Sequence, residues 1–188
     1  MRIRRDDTAA IVVDIQERLF PHIHQHQELE KKINLLIRGL RILQQYTKGL
    51  GATIPSVAET LQYFEPIEKI SFSCCGAPKF MDLLGKLEKT NIILIGTETH
   101  VCVLQTALDL LEDKYIPVII EDCVGSRKPD DKRVAIERLW NEGVIVSTAE
   151  SILFELCEEA GTEQFREISK LGKSLGGELR LWDCGLKG

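Results

Sequence analysis

The stretch Thr8-Ala-Ala-Ile-Val-Val-Asp14 decides the fold. Five apolar residues run without polar alternation and stop at a carboxylate, the pattern of a strand covered on both faces. Two further runs read the same way, Asn91-Ile-Ile-Leu-Ile-Gly96 and Ile116-Pro-Val-Ile-Ile-Glu-Asp122. Between them the apolar period changes to that of a helix. Leu29, Ile33, Leu36, Ile37 and Leu40 form one stripe within Glu28–Leu43, and Leu104, Ala107, Leu108 and Leu111 form another within Val103–Lys114. Pro129–Asn141 reads as a helix capped at Gly143, Val144–Ser147 as a short strand and Ala149–Glu159 as a closing helix. Strands alternating with helices through short connections predict an α/β chain: a three-layer αβα sandwich, Rossmann-like, around a mostly parallel central sheet.

A chain of 188 residues suits a single domain. Its 24 Lys and Arg against 29 Asp and Glu give a net charge of −5 with no basic cluster, which gives no electrostatic reason to bind nucleic acid or an anionic membrane. The apolar run Ile116–Ile120 is far shorter than the ~20 residues of a membrane helix. Met1-Arg-Ile-Arg-Arg-Asp-Asp7 is charged where a secretory peptide would be apolar, so a cytoplasmic location is expected.

In such a setting the six cysteines are read as thiols, and no Cys-x-x-Cys pair is present to hold zinc. Parallel sheets bind ligands beyond the carboxyl ends of their strands, where this chain places Asp14, Thr97-Glu-Thr-His-Val-Cys102 and Glu121-Asp-Cys123. Cys102 stands where a loop enters a helix. The helix dipole and unpaired amides there lower a thiol pKa and supply oxyanion donors. Position alone leaves two readings open, a nucleophile or a small core residue. Asp14 is costly after an apolar strand unless it is paired or solvated, and an N-cap role is equally open. Strand alternation puts Lys69 on one face with Ser71, where an ordinary surface lysine is the alternative. Together the three residues make a mechanism: Cys102 attacks, Asp14 takes its proton and later activates water, and Lys69 holds the carboxylate.

Five segments in this order resemble the isochorismatase-like cysteine hydrolases: Ala10-Ile-Val-Val-Asp-Ile-Gln-Glu-Arg-Leu19, Gln45-Tyr-Thr-Lys-Gly-Leu-Gly51, Ile67-Glu-Lys-Ile-Ser-Phe-Ser73, Gly96-Thr-Glu-Thr-His-Val-Cys-Val103 and Glu121-Asp-Cys-Val-Gly-Ser126. The resemblance runs from Asp7 to Lys170 and defines a hydrolase domain over 1–171, with 172–188 as a tail outside it. It implies that the family's Asp–Lys–Cys triad falls on Asp14, Lys69 and Cys102. It also implies a non-proline cis peptide at His100–Val101 that turns the Val101 and Cys102 amides toward an oxyanion. Gln16, Tyr46, Thr99 and His100 are expected to line the pocket. The implied reaction is hydrolysis of a small amide-type substrate, at a C–N bond, through a thioester.

The chain also departs from the family pattern. Gln45–Gly51 has neither the Asp nor the His with which nicotinamidase-like members bind metal, so no metal and no cofactor are expected. His22, His24 and His26 read as a solvated loop ahead of a helix. An apolar second strand should follow the first helix, but Gln44–Pro55 is a polar, Gly-rich loop, and a strand's length of chain is missing between Leu43 and Gln45. No G-x-G-x-x-G follows the first strand, which argues against a nucleotide-binding domain. Cys74-Cys75 is read as packing beneath the Lys69 segment. The expected partners are a small-molecule substrate and further copies of the chain. The competing function is a catalytically silent relative acting as an oligomeric scaffold, and the two part on whether Asp14, Lys69 and Cys102 converge.

Overall fold

The computed structural model describes residues 1–43, 53–61 and 66–173, with the backbone of 46–49. Its elements in chain order are β1 (Thr8–Val13), α1 (His26–Ile42), β2 (Tyr46–Gly49), α2 (Pro55–Ala58), α3 (Pro78–Leu87) and β3 (Asn91–Thr97). They continue as α4 (Leu104–Glu112), β4 (Ile116–Gly125), α5 (Pro129–Asn141), β5 (Ile145–Ser147), α6 (Ala149–Cys157) and α7 (Glu163–Lys173). The five strands form one sheet in the order β2-β1-β3-β4-β5, and every pairing is parallel. The expected α/β sandwich is the architecture found.

Strand alternation explains why both faces are covered. Ala10, Val12, Ile93, Ile95, Val118 and Ile120 pack with Ile33, Leu36, Ile37 and Leu40 of α1 and with Ile152, Leu153 and Leu156 of α6. Their chain neighbours Ala9, Ile11, Val13, Ile92, Leu94 and Ile119 face the other way, onto Phe80 and Leu84 of α3, Ala107 and Leu110 of α4, and Leu139 of α5. Every residue of β1 and β3 is buried, as the unbroken apolar runs required. Gly143 follows α5 with φ +92, the left-handed conformation of a C-terminal cap.

Three expectations are corrected here. The strand thought missing after α1 is present: Tyr46–Gly49 lies in it, in register with β1 from Ala9↔Tyr46 to Val12↔Gly49. An edge strand takes its ladder from its neighbour and tolerates a Lys and a Gly, so the polar text does not prevent pairing. The Glu121-Asp-Cys123 segment is not a strand end either. β4 continues to Gly125, with its register against β3 slipping between Leu94↔Ile119 and Gly96↔Val124. The extra residues bulge, leaving Glu121 exposed while Cys123 is buried. Third, Lys69 is not in a strand, because 66–69 carry no regular structure. Of the tail, Gly172 and Lys173 close α7, and 174–188 lie outside the described residues.

The topology places the site. The chain leaves β1 for β2 on one side and returns for β3 on the other, so the order reverses between β1 and β3. The crevice beyond the carboxyl ends of those two strands is the topological switch point. Asp14 follows the one, and Glu98 to Cys102 follow the other.

Candidate functional site

At the end of β1, Asp14 turns into the left-handed region with φ +49. Its carbonyl accepts a hydrogen bond from the Thr97 hydroxyl at the end of β3. The two strand ends can meet because residue 96 is Gly: with φ +137, a Cβ there would lie 1.9 Å from the Val13 carbonyl oxygen. Left-handed non-glycine residues persist only where the surrounding structure holds them, and Glu98 beside the same crevice is another, with φ +55.

Lys69 brings its ammonium to this point. Nζ donates to Asp14 Oδ2 at 2.7 Å, to the Phe72 carbonyl at 3.1 Å and to the Ser71 carbonyl at 3.2 Å. Three donors meet three acceptors, so an ammonium whose side chain is 9% exposed is fully satisfied against a carboxylate 7% exposed. Burial pulls the Lys69 pKa down, but the Asp14 hydrogen bond and charge outweigh it and the net direction is up. Lys69 is therefore charged near neutrality.

Cys102 completes the group, close enough to Asp14 for the carboxylate to act on its thiol. Burial, then the Asp14 hydrogen bond and charge, push this thiol up to about 12, and Lys69 only partly opposes them. This reverses the expectation of a dipole-lowered pKa. Desolvation and a carboxylate neighbour outweigh the helix terminus, so at rest Cys102 is a thiol facing a carboxylate base.

A second thiol lies in the same cluster: Cys74, expected to pack beneath the Lys69 segment, acts on both Lys69 and Cys102. Cys74 is buried, its backbone N–H donates to Thr106 Oγ1 at 2.9 Å, and that hydroxyl donates to the Cys102 carbonyl at 2.7 Å. Burial pushes the Cys74 thiol to about 11, opposed by Thr106 and Lys69.

The turn carrying Cys102 is a π-helical turn, Thr99–Val103, leading into α4. It is wound on the Glu98 carbonyl, which accepts from Val101 N–H at 2.9 Å and from Val103 N–H at 3.4 Å. The Glu98 side chain is tied down as well. Its carboxylate accepts from the Arg127 backbone N–H at 3.3 Å and from Arg127 Nε and Nη2 at 3.2 Å. Two expectations are corrected by this geometry. No peptide bond among the described residues is cis, His100–Val101 included. The Val101 amide is spent on Glu98 and does not face an oxyanion, because the turn obtains its shape from helical winding.

The remaining pocket expectations fare differently. His100 is tied to the β4–α5 connection: Nδ1 lies 3.0 Å from Ser126 Oγ, and Nε2 lies 3.6 Å from Glu98 and 3.8 Å from Asp131. Thr99 is fully buried, and its hydroxyl has no hydrogen-bond partner. Gln16 is exposed, and its carbonyl accepts from the Leu19 and Phe20 amides. The Tyr46 backbone lies in β2, and its side chain is outside the described residues. Of the histidine cluster, His26 starts α1 with its ring edge-on to Phe20, and His22 and His24 are exposed. Among the described residues no group of three His, Cys, Asp or Glu could hold a metal ion, and no helix is long and apolar enough to cross a membrane. A cavity of about 840 Å³, bordered by Arg4, Thr8, Lys89 and Glu158, opens near the starts of β1 and β3, at the end of the sheet away from Asp14.

Comparison with known proteins agrees with this architecture. Residues 8–151 match the isochorismatase domain model. The chain is similar to isochorismatase domain-containing protein 2 of Danio rerio, 34% identical over 90% of this chain and 89% of that one. Its likeness to isochorismatase domain-containing protein 2A of Mus musculus is 31%, over 92% and 85%. Among solved structures it is similar to one described as MAR1 ribonuclease from Caenorhabditis elegans, with a TM-score of 0.86 and 32% identity over 96% of this chain and 97% of that one. With the fold, the switch-point crevice and these likenesses in agreement, the chain belongs to the isochorismatase family and has its hydrolase-like fold.

Proposed function

We propose that the protein is a cysteine hydrolase that cleaves a small amide-type substrate at a C–N bond through a thioester. The observation that supports this reading is one carboxylate held by an ammonium at 2.7 Å and acting on the pKa of the Cys102 thiol beside it. Cys102 sulfur attacks the carbonyl carbon as its proton passes to Asp14. Asp14 then gives that proton to the departing nitrogen as the C–N bond breaks. Water attacks the thioester as Asp14 takes its proton, and Asp14 returns that proton to the Cys102 sulfur as the C–S bond breaks, regenerating thiol and carboxylate. Lys69 stays charged throughout and keeps Asp14 oriented. The Cys102 amide, at the start of a helix, is the oxyanion donor in this scheme. The proposal includes assembly into several copies and a small molecule, not nucleic acid, as substrate. It excludes the silent-scaffold alternative, which gives no reason to bury a satisfied Asp–Lys pair beside a thiol.

The ribonuclease description of one structural relative suggests a different bond. A net charge of −5 gives little electrostatic support for phosphodiester binding. The test is a panel of small primary amides and carbamoyl compounds beside a single-stranded RNA, each with wild type, Asp14→Asn and Cys102→Ala. Amide turnover that either substitution lowers by about 10²-fold or more supports the reading. RNA cleavage lost with the same substitutions, with no amide turned over, overturns it.

A further inference from the structure

Asp14 has to aim one carboxylate at two partners from a left-handed backbone, and β-strand exit alone does not select that conformation. The only hydrogen bond the described structure gives to its carbonyl comes from Thr97, a fully buried residue at the end of the neighbouring strand. Thr97 is in register to do this because Val13 pairs with Gly96, so the next residue on each strand faces the other across the switch point. Gly96 removes the side chain that would hold the strand ends apart.

We propose that Thr97 is a positioning residue for Asp14: its hydroxyl fixes the Asp14 carbonyl, and so the left-handed turn that points the carboxylate at both Lys69 and Cys102. This rests on the reading of Asp14 as the base for Cys102 and adds a residue that the site's own chemistry does not reveal. Thr97 touches no substrate. It acts on Asp14 through the backbone, as Lys69 acts on it through the side chain.

A substrate-free readout separates this role from a purely structural one. The Asp14 carboxylate holds the Cys102 thiol pKa up, so removing or misplacing it moves thiolate formation to lower pH. Labelling of Cys102 by iodoacetamide, quantified by mass spectrometry, rises about tenfold per pH unit below the thiol pKa. The position of that rise on the pH axis reports whether the carboxylate still acts on the sulfur.

The profile is measured for wild type, Asp14→Asn, Thr97→Val, Thr97→Ala and Thr97→Ser, each checked for cooperative unfolding by circular dichroism. Asp14→Asn is expected to shift the rise to lower pH and so to speed labelling at neutral pH. Thr97→Val and Thr97→Ala, which lack the hydroxyl, are expected to shift it the same way. Thr97→Ser, which keeps the hydroxyl, is expected to match wild type. If Asp14→Asn shifts the profile while folded Thr97→Val and Thr97→Ala do not, Thr97 does not position the base and this inference falls alone. If Asp14→Asn itself leaves the profile unchanged, the reading of Asp14 as the base falls too. Failure of Thr97→Ser to restore the wild-type profile, or loss of folding in both hydroxyl-lacking variants, also overturns the inference by making Thr97 a residue of packing only.

Discussion

Asp14 carries most of the chemistry and most of the electrostatic cost. A carboxylate 7% exposed is tolerable because Lys69 neutralises it and donates to it directly. Lys69→Met, which keeps the bulk and removes the charge, should lower the unfolding free energy by about 3–5 kcal/mol in urea titrations, since it leaves Asp14 buried and unpaired. Adding Asp14→Asn should recover a large part of that loss, and a double-mutant cycle would measure the coupling. At this scale the sequence was legible in part. A carboxylate after five buried residues already asked for a partner. The direction of the Cys102 pKa was not legible, because it depends on how much water the folded chain removes and on a carboxylate 88 positions distant in a 188-residue chain, at Asp14. Lys69 was misread as a strand residue. Its segment is shaped by the ammonium curling back onto the Ser71 and Phe72 carbonyls, which turns Ile70 and Phe72 outward and leaves them exposed.

Two connections at the carboxyl ends of β1 and β3 turn a plain sheet into a site. The turn after β3 hangs on Glu98 through its carbonyl and through its carboxylate, the latter clamped by Arg127 from the β4–α5 connection. Glu98→Ala removes that clamp and should speed amide hydrogen exchange through Thr99–Val103, at a cost of about 1–3 kcal/mol in stability. Gly96→Ala should cost about 2 kcal/mol or more, because the new methyl meets the Val13 carbonyl at a φ of +137. Thermal melts of the two variants check both. The central strands and most helices were legible here, since buried apolar runs and helical stripes are local signals. β2 was not. Tyr46-Thr-Lys-Gly49 has neither alternation nor an apolar run, and it is a strand only because β1 offers it a parallel ladder.

For the molecule as a whole, the order β2-β1-β3-β4-β5 puts the one reversal of direction where the Asp, the Lys and the thiol meet. It also buries thiols in quantity, which sets a pH dependence. Cys74, Cys75, Cys102 and Cys123 all have pKa values pushed up by burial, the first three to about 11, 12 and 12. A raised folded pKa means the native chain holds protons that the unfolded chain releases. The stability this provides is complete below the unfolded thiol value of about 8.5 and is lost as pH rises toward the folded values. Lys69, also raised, adds to the loss above about 10.4. The melting temperature should therefore fall steadily from about pH 8.5 upward. Replacing Cys123, the most deeply buried of these thiols, by Ala should flatten the fall, as melts at stepped pH would show.

The central claim, that Asp14 is the base for the Cys102 thiol, is tested most directly by the pH profile of Cys102 alkylation in wild type and Asp14→Asn. Because the carboxylate holds the thiol pKa up, the account predicts that Asp14→Asn shifts the rise in rate to lower pH and speeds labelling at neutral pH. A variant profile that coincides with that of wild type would contradict it.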